Sequence, residues 1–360
     1  MSKQIGYALA GLGELARRAI VPAFAHAENN ARLVAILSGD RAEAQMLAQQ
    51  LRVTAYVYDE LRQCLQRDDV DAVYLALPNS MHCDYAVEAA RGGAHVLCEP
   101  PMAVTADECR RMIRTCQTNR VKLMLAYGLH FHPAHRRVLE LIRDGSIGVP
   151  KTFSSDFTTR LASPDDIRLQ RRLGGGTLYE LGVGCINTAR TLFGAEPAQV
   201  MAMTARMTRR YGGDVDESAV GLIRFPEERL AHFHTSFGED PRAEFTLFGE
   251  EGYLRLTNAY TRDAPMTLER VKHGRVEEEH FEPIDQFAAV IGHFSDCVLQ
   301  DVPPEPSGYD GLQDVRIVEA IYRSARDGRP VTLPRMSRVE SGPGAETDVR
   351  RAGVQNRQAS

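Results

Sequence analysis

The fold is decided by the stretch QIGYALAGLGELA, residues 4–16. An apolar run, suited to a buried strand, is followed by Gly11, Gly13 and Ala16 in the spacing G-x-G-x-x-A. In this pattern the first glycine permits a tight turn, the second lets the backbone approach a pyrophosphate, and the alanine lets helix and strand pack closely. The stretch therefore predicts a dinucleotide-binding strand–turn–helix unit, and a tight glycine turn without a ligand is the alternative.

Outward from this stretch, strand and helix patterns alternate over residues 1–127. The candidate strands cover residues 4–10, 32–38, 71–77, 95–98 and 122–127. The near-continuous apolar run DAVYLAL is typical of a strand that is buried on both faces of a parallel sheet. The alternation predicts an α/β fold, an N-terminal Rossmann domain with a doubly wound parallel sheet.

The pattern changes over residues 128–335. Candidate strands with short turns between them cover residues 151–160, 198–210, 217–225, 228–237, 243–249, 252–257, 265–272 and 275–281. Successive strands of this kind favour an antiparallel sheet. We predict a C-terminal α+β domain with a mainly antiparallel sheet over these residues. Residues 336–360 are polar and lack periodicity, which predicts a mobile tail.

Composition excludes several classes of protein. The 360 residues are 43 % hydrophobic and 25 % charged, as in ordinary globular proteins. The net charge of −5 comes without a basic block, which argues against nucleic-acid binding. No apolar run reaches the roughly 18 residues of a membrane helix, and the N-terminus does not resemble a signal peptide. The seven cysteines lack metal-site spacing, so we expect reduced thiols, no metal and a cytoplasmic location.

The end of the second strand addresses the choice between NADP and NAD. Ser38 and Gly39 leave room for a 2′-phosphate, and the following Arg41 can pair with it. Asp40 is instead the residue type that binds the ribose of NAD. We therefore expect NADP, with NAD as the alternative. The plainer interpretation of Arg41 is that it is a solvated residue in the first turn of a helix.

Three further motifs carry a family likeness. They are PNSMH at residues 78–82, GAHVLCEPPMA at 93–103 and GGGTLYELG at 174–182. Together with the first glycine loop, they make the chain resemble the glucose–fructose oxidoreductase, inositol dehydrogenase and MocA family (GFO/IDH/MocA) over about residues 4–335. The likeness is strongest to the glucose–fructose oxidoreductase branch.

The resemblance implies a Rossmann domain followed by an open-sheet domain. It also implies oxidation or reduction of a sugar or cyclitol carbon with NAD(P), and homodimers or homotetramers that associate through the C-terminal sheet. The cofactor-binding residues predicted from the motifs and the resemblance are Gly11, Gly13, Glu14, Leu15, Ser38, Gly39, Arg41, Leu77, Pro78, Asn79, His82, Glu99 and Pro100.

The sequence departs from the family at its acid/base positions. The lysine of the family's Glu-Lys-Pro motif falls on Pro100, its aspartate on Glu180, and its histidine or tyrosine on Gly184. Hydride transfer at an alcohol carbon requires a proton to move at the oxygen, and a positioned acid or base contributes about 10²–10⁴-fold. Two of the groups that normally move this proton are therefore missing.

Several residues are candidates to replace them. Glu180 is the first, either as a base or as a carboxylate that binds the substrate hydroxyl; a simple helix N-terminal acid is the plainer interpretation. Tyr127 and His130 leave the last Rossmann strand towards the interdomain cleft, where either is a candidate proton donor; a satisfied structural residue is the plainer interpretation, above all for the histidine. Tyr127 and Asn187 are further candidates for binding the substrate. The sequence leaves open whether the Pro100–Pro101 bond is cis.

Three functions stay open at this stage. The first is an NAD(P)-dependent oxidoreductase of a sugar-like small molecule with an atypical acid/base set. The second is a catalytically degenerate homologue that binds NAD(P) and acts as a sensor or regulator. The third is an enzyme that uses tightly bound NAD(P) for a transient oxidation, as some glycosidases of this family do.

Overall fold

The first part of the chain forms a six-stranded parallel sheet in the computed structural model, which describes residues 3–206 and 213–335. The strands lie in the order β3-β2-β1-β4-β5-β6. They are β1 (Ile5–Ala10), β2 (Ala31–Ser38), β3 (Thr54–Val57), β4 (Ala72–Leu75), β5 (His95–Cys98) and β6 (Leu123–Leu125). The order reverses between β1 and β4, and ligands of such sheets bind at this point, outside the carboxyl ends of the strands.

Helices cover both faces of this sheet, as a parallel sheet requires. They are α1 (Val21–His26), α2 (Arg41–Leu51), α3 (Leu61–Cys64), α4 (His82–Arg91) and α5 (Ala106–Thr118). A π-helical turn, Ala16–Ile20, precedes α1 directly. Asp40 caps α2, because its carboxylate accepts hydrogen bonds from the backbone amides of Ala42 and Glu43.

The second sheet has nine strands, in the order β14-β13-β12-β11-β7-β10-β9-β8-β15. They are β7 (Pro150–Arg160), β8 (Gln199–Ala205), β9 (Ser218–Arg224), β10 (Leu230–Ser236), β11 (Gly238–Gly249), β12 (Gly252–Thr257), β13 (Met266–Lys272), β14 (Arg275–Phe281) and β15 (Val331–Thr332). All neighbours are antiparallel except β7 and β10. The predicted fold class is thus confirmed. The predicted tail and the end of the predicted strand 198–210 lie outside the described residues.

The remaining helices are α6 (Pro133–Arg143), α7 (Val183–Phe193), α8 (Gln286–Leu299) and α9 (Gly308–Asp327). α6, α7 and α9 pack on one face of the second sheet and bury its main core. α8 returns to the first sheet, where the Tyr7 hydroxyl lies 2.7 Å from Ser295 Oγ. In the described parts of the chain, no helix combines the length and apolar character needed to cross a membrane.

Candidate active site

The glycine loop after β1 has the geometry of a phosphate site. Gly11 has a φ of +103°, and a Cβ there would lie 2.1 Å from the carbonyl oxygen of Ala76, so only glycine fits. A Cβ on Gly13 would meet no atom within 4 Å, which leaves open space above the loop. No side chain caps the helical turn at Leu15. A helix start without a side-chain cap, beside open space, fits the pyrophosphate of a dinucleotide.

The carboxyl end of β2 carries the residues expected at the adenosine ribose. Ser38 is buried, and its hydroxyl donates to Glu43 Oε2 at 3.1 Å. Arg41 is exposed and pairs with Glu60 at 2.6 Å. A bound 2′-phosphate would thus take the place of the Glu60 carboxylate as the anion paired with Arg41. Asp40, the residue expected for an NAD ribose, has one carboxylate oxygen occupied as the helix cap.

The turn after β4 contacts the second domain. The side-chain amide of Asn79 donates to the carbonyl of Gly174 at 2.9 Å. His82 is fully buried, and its ring nitrogens lie 2.9 Å from the carbonyl oxygens of Pro101 and Leu77. The expectation that His82 approaches the cofactor is therefore corrected, since its ring has no free edge. Leu77 is also buried, and its side chain belongs to the core of the first domain.

Pro78 and Pro100 are half-buried at the edge of this region. The Pro100–Pro101 bond, which the sequence left open, is cis. The preceding residue, Glu99, directly follows β5, and its Oε1 accepts a hydrogen bond from the Tyr74 hydroxyl at 2.5 Å. Burial raises the pKa of Glu99 to about 7, against the opposing effects of Tyr74 and Arg262. Glu99 therefore changes its charge near neutral pH.

Glu180 lies in a π-helical turn, Leu178–Gly182, directly before α7. Its side chain is 35 % exposed, with Arg168 Nη1 at 3.8 Å from Oε1. Burial of the carboxyl within the cleft raises its pKa, and Arg168 opposes the rise. Asp166 already holds the Arg168 guanidinium through two hydrogen bonds of 2.8 and 2.9 Å. Glu180 thus faces an arginine whose charge is largely shared with another carboxylate.

Gly184 opens a gap beside Glu180. The atoms nearest to a Cβ at this position would be Tyr260 Cδ1 at 3.9 Å and Phe157 Cε1 at 4.0 Å. These two rings stack, with centroids 4.8 Å apart and planes inclined by 20°. The missing side chain therefore leaves space that is bounded by aromatic rings and holds no titratable group of its own.

Three of the predicted catalytic or substrate residues turn away from the cleft into a buried polar network. The Tyr127 hydroxyl donates to Asp314 Oδ2 at 2.7 Å, and the Asn187 amide donates to the same oxygen at 3.0 Å. Asn187 Oδ1 lies 2.7 Å from His130 Nε2, and Arg190 donates to Asp314 Oδ1 at 2.7 Å. Tyr127 and Asn187 are both buried, and the network occupies the Tyr127 hydroxyl and both ends of the Asn187 amide, so their expected substrate contacts are corrected.

His130 is constrained by the same network. Asn187 directs its amide nitrogen to Asp314, so its oxygen must accept from His130 Nε2. This fixes the proton on Nε2, and burial lowers the pKa of the ring. At neutral pH the ring is uncharged, with its one proton bound to Asn187. These contacts favour the plainer interpretation of His130 as a structural histidine, and its role as a proton donor stays a prediction.

Sequence reasoning missed Arg262 and Asp314. Arg262 follows Tyr260 in the loop after β12, and its guanidinium lies 5.7 Å from the centroid of the Phe287 ring. It lowers the pKa values of both Glu99 and Glu180. Neither residue belongs to a local motif, so no signal in the sequence marks it.

Two domains that meet at the nucleotide-binding edge of a Rossmann sheet, with carboxyl groups in the cleft between them, define a class of nucleotide-dependent oxidoreductases. The chain belongs to the GFO/IDH/MocA oxidoreductase family. Residues 5–127 match the sequence model "Oxidoreductase family, NAD-binding Rossmann fold", and residues 135–255 match the "GFO/IDH/MocA C-terminal domain". The resemblance stated from the sequence is confirmed, and the protein is an NAD(P)-dependent oxidoreductase.

Named relatives extend over nearly the whole chain. D-xylose 1-dehydrogenase (NADP(+)) 2 of Haloferax volcanii is 31 % identical over 330 residues, 91 % of this chain and 99 % of that protein. The crystal structure of aldose-aldose oxidoreductase from Caulobacter crescentus, complexed with glycerol, has 33 % identity and a TM-score of 0.87, covering 92 % of this chain and 100 % of that one. KijD10, a 3-ketoreductase from Actinomadura kijaniata, in complex with NADP and TDP-benzene, has 26 % identity and a TM-score of 0.82, covering 89 % and 98 %.

Proposed function

We propose that the protein is an NADP-dependent oxidoreductase of a hydroxyl or carbonyl group on a sugar or cyclitol. Glu180 moves the proton at the reacting oxygen. The observation that carries this proposal is the position of Glu180, a partly exposed carboxyl group of raised pKa close enough to Glu99 to raise the pKa of that residue too. Two of the named relatives, a D-xylose dehydrogenase and an aldose-aldose oxidoreductase, support the substrate class by their names.

Each domain has its own task in this proposal. Residues 1–127 bind the nucleotide through the glycine loop and the ends of β2, β4 and β5, and residues 128–335 supply the substrate site. The bound nicotinamide nucleotide accepts or donates the hydride. In the oxidation, Glu180 accepts the proton of the substrate hydroxyl, and in the reduction it returns one. Asp166 holds Arg168 beside it, which limits how far the pKa of Glu180 rises.

The preference for NADP rests on Ser38, Gly39 and Arg41. The end of β2 thus carries a small buried hydroxyl and a residue without a side chain, with an exposed cation on the first turn of α2. A guanidinium binds a phosphate through paired hydrogen bonds. Two of the named relatives are described with NADP, which supports the same choice. Cytoplasmic localisation stays a prediction from the sequence.

Turnover on a sugar panel tests the proposed function. NADPH and NADH are titrated by nicotinamide fluorescence, and NADP⁺ is then supplied with D-xylose, D-glucose and myo-inositol while absorbance of the reduced nucleotide is followed. We expect tighter binding of NADPH than of NADH and turnover on at least one sugar. Binding without turnover on any sugar or cyclitol would favour the sensor or regulator, and release of a glycosidic product without net reduction would favour transient oxidation.

The outer face of the second sheet supports a homodimer or homotetramer. Met203 is 74 % exposed, and Val220 and Leu222 on the neighbouring strand are 49 % and 54 % exposed. The β8–β9 register places Met203 opposite Val220 and Met201 opposite Leu222, so these side chains form one apolar patch. Patches of this kind on a sheet face usually bind a partner.

A substitution on this patch tests the oligomer. Leu222→Lys is expected to convert an assembly of at least twice the monomer mass into monomer, because a charge within an apolar interface is not solvated. Size-exclusion chromatography with light scattering measures the mass. Met46→Lys is the control, since Met46 is 61 % exposed on α2, away from this sheet. A wild-type protein of monomer mass would contradict the prediction.

A further inference from the structure

A second cleft residue, Arg262, has the position and the free charge to act on the substrate. It lies two residues after Tyr260, whose ring bounds the gap at Gly184. Its side chain reaches over the ring of Phe287 on α8, the helix that packs on the first sheet. Arg262 therefore extends from the second domain to the first, near Glu99 at the carboxyl end of β5.

Within residues 3–206 and 213–335, the charge of Arg262 is not neutralised by an ion pair. Among the residues that the structure describes, no carboxylate lies within 4.0 Å of its guanidinium. Arg168, the other arginine at Glu180, is bound by Asp166 through two hydrogen bonds. The guanidinium of Arg262 acts on Glu99 and Glu180 only through its charge. Its hydrogen-bond donors are thus available to a ligand placed between it and these carboxyl groups.

Interconversion of an alcohol and a carbonyl develops negative charge on the reacting oxygen. A carboxylate that takes the hydroxyl proton leaves partial negative charge on the oxygen, and a cation beside that oxygen stabilises it. Arginine supplies a permanent positive charge and several donors, and it does not lose its proton in proteins. A carboxyl group and a guanidinium beside one oxygen divide the two tasks, since the first exchanges the proton and the second stabilises the charge.

We propose that Arg262 binds the reacting oxygen of the substrate and stabilises its developing negative charge, while Glu180 exchanges the proton. This rests on the proposed function and adds a catalytic residue to it. In the oxidation, the O–H proton passes to the Glu180 carboxylate, the carbon-bound hydrogen leaves with its electron pair to the oxidised nicotinamide nucleotide, and the C=O bond forms. Arg262 keeps its protons throughout.

Kinetics of Arg262→Met and Arg262→Lys, on the sugar that the wild type turns over, test the proposal. Removal of one donor to a developing oxyanion lowers kcat by about 10²–10³-fold, and we expect this for Arg262→Met. Arg262→Lys, which keeps the charge, is expected to recover part of the loss. Arg136→Met is the matched control. Arg136 lies on α6, is also exposed, and places its guanidinium carbon 5.9 Å from the centroid of the Phe131 ring. It is expected to keep wild-type kcat.

A structural role for Arg262 would not move the pH profile, whereas the proposed role does. Loss of the cation raises the pKa of Glu180, so the acid limb of kcat/KM in the oxidation shifts to higher pH in Arg262→Met. NADPH affinity is expected to stay within about threefold of wild type. A kcat within threefold of wild type overturns the role of Arg262 alone, even if the acid limb shifts, because the charge of Arg262 acts on Glu180 without contacting the substrate. A wild type that binds NADPH but turns over no sugar overturns the proposed function and this role with it.

Discussion

Replacing Glu180 with glutamine is expected to lower kcat by about 10²–10⁴-fold, the usual contribution of a positioned acid or base. Glutamine has nearly the same shape and still forms hydrogen bonds, but it does not accept the hydroxyl proton. Steady-state kinetics in both reaction directions measure the loss. Since the binding contacts are kept, KM and NADPH affinity should change far less than kcat.

The pH profile gives this prediction its sign. Burial raises the pKa of Glu180 above the ordinary value of a glutamate, and Arg168 limits the rise. The oxidation needs the ionised carboxylate, so kcat/KM falls as the pH drops through the raised pKa. The reduction needs the protonated acid and falls as the pH rises through it. Glu180→Gln should flatten both limbs.

Asp165→Asn provides the control for Glu180→Gln. Asp165 is exposed in the neighbouring loop, and its substitution removes one carboxylate without changing the cleft. Its kcat is expected to match wild type. A Glu180→Gln enzyme that keeps kcat within threefold would contradict the acid/base role and leave Glu180 as a charge at the start of a helix.

The nucleotide site could be predicted from the sequence because its chemistry is local. The glycine spacing after β1 specifies a turn, an open backbone and a helix start within six residues, and the structure places them so. The strand β3 was missed, because Thr54–Val57 has four residues and only one of them is buried. The strand predicted at 243–249 begins at Gly238 in the structure. The prediction was too short because residues 238–242 are mostly exposed and lack the apolar alternation of a strand.

The substrate side was less predictable because it depends on tertiary contacts. Helical spacing predicts that Glu180, Gly184 and Asn187 share one face. The π-helical turn Leu178–Gly182 changes the angle between successive residues, and the structure exposes Glu180 while it buries Asn187. The partner of Asn187 is Asp314, more than a hundred residues later on α9. No local pattern indicates that pairing, and none marks Arg262.

The buried network around Asp314 is expected to dominate the stability of the site. Asp314 is fully buried, and its two oxygens accept three hydrogen bonds. One comes from Tyr127, just after β6 in the first domain, and the others come from Asn187 and Arg190 on α7. One carboxylate thus joins the first domain, α7 and α9. A buried donor left without an acceptor costs about 1–3 kcal/mol, more when it is charged.

Asp314→Ala leaves three such donors and is therefore expected to destabilise the protein by at least about 3 kcal/mol. Asp314→Asn keeps one acceptor oxygen and should lose less. Urea unfolding followed by circular dichroism measures both variants. Asp240→Asn is the control, because it breaks an Asp–Arg pair of 2.6 Å whose aspartate is 90 % exposed, and such surface pairs contribute about 0–1 kcal/mol. If Asp314→Ala unfolded at the same urea concentration as this control, the network would not hold α7 in place, and the burial of Asn187 and His130 would need another cause.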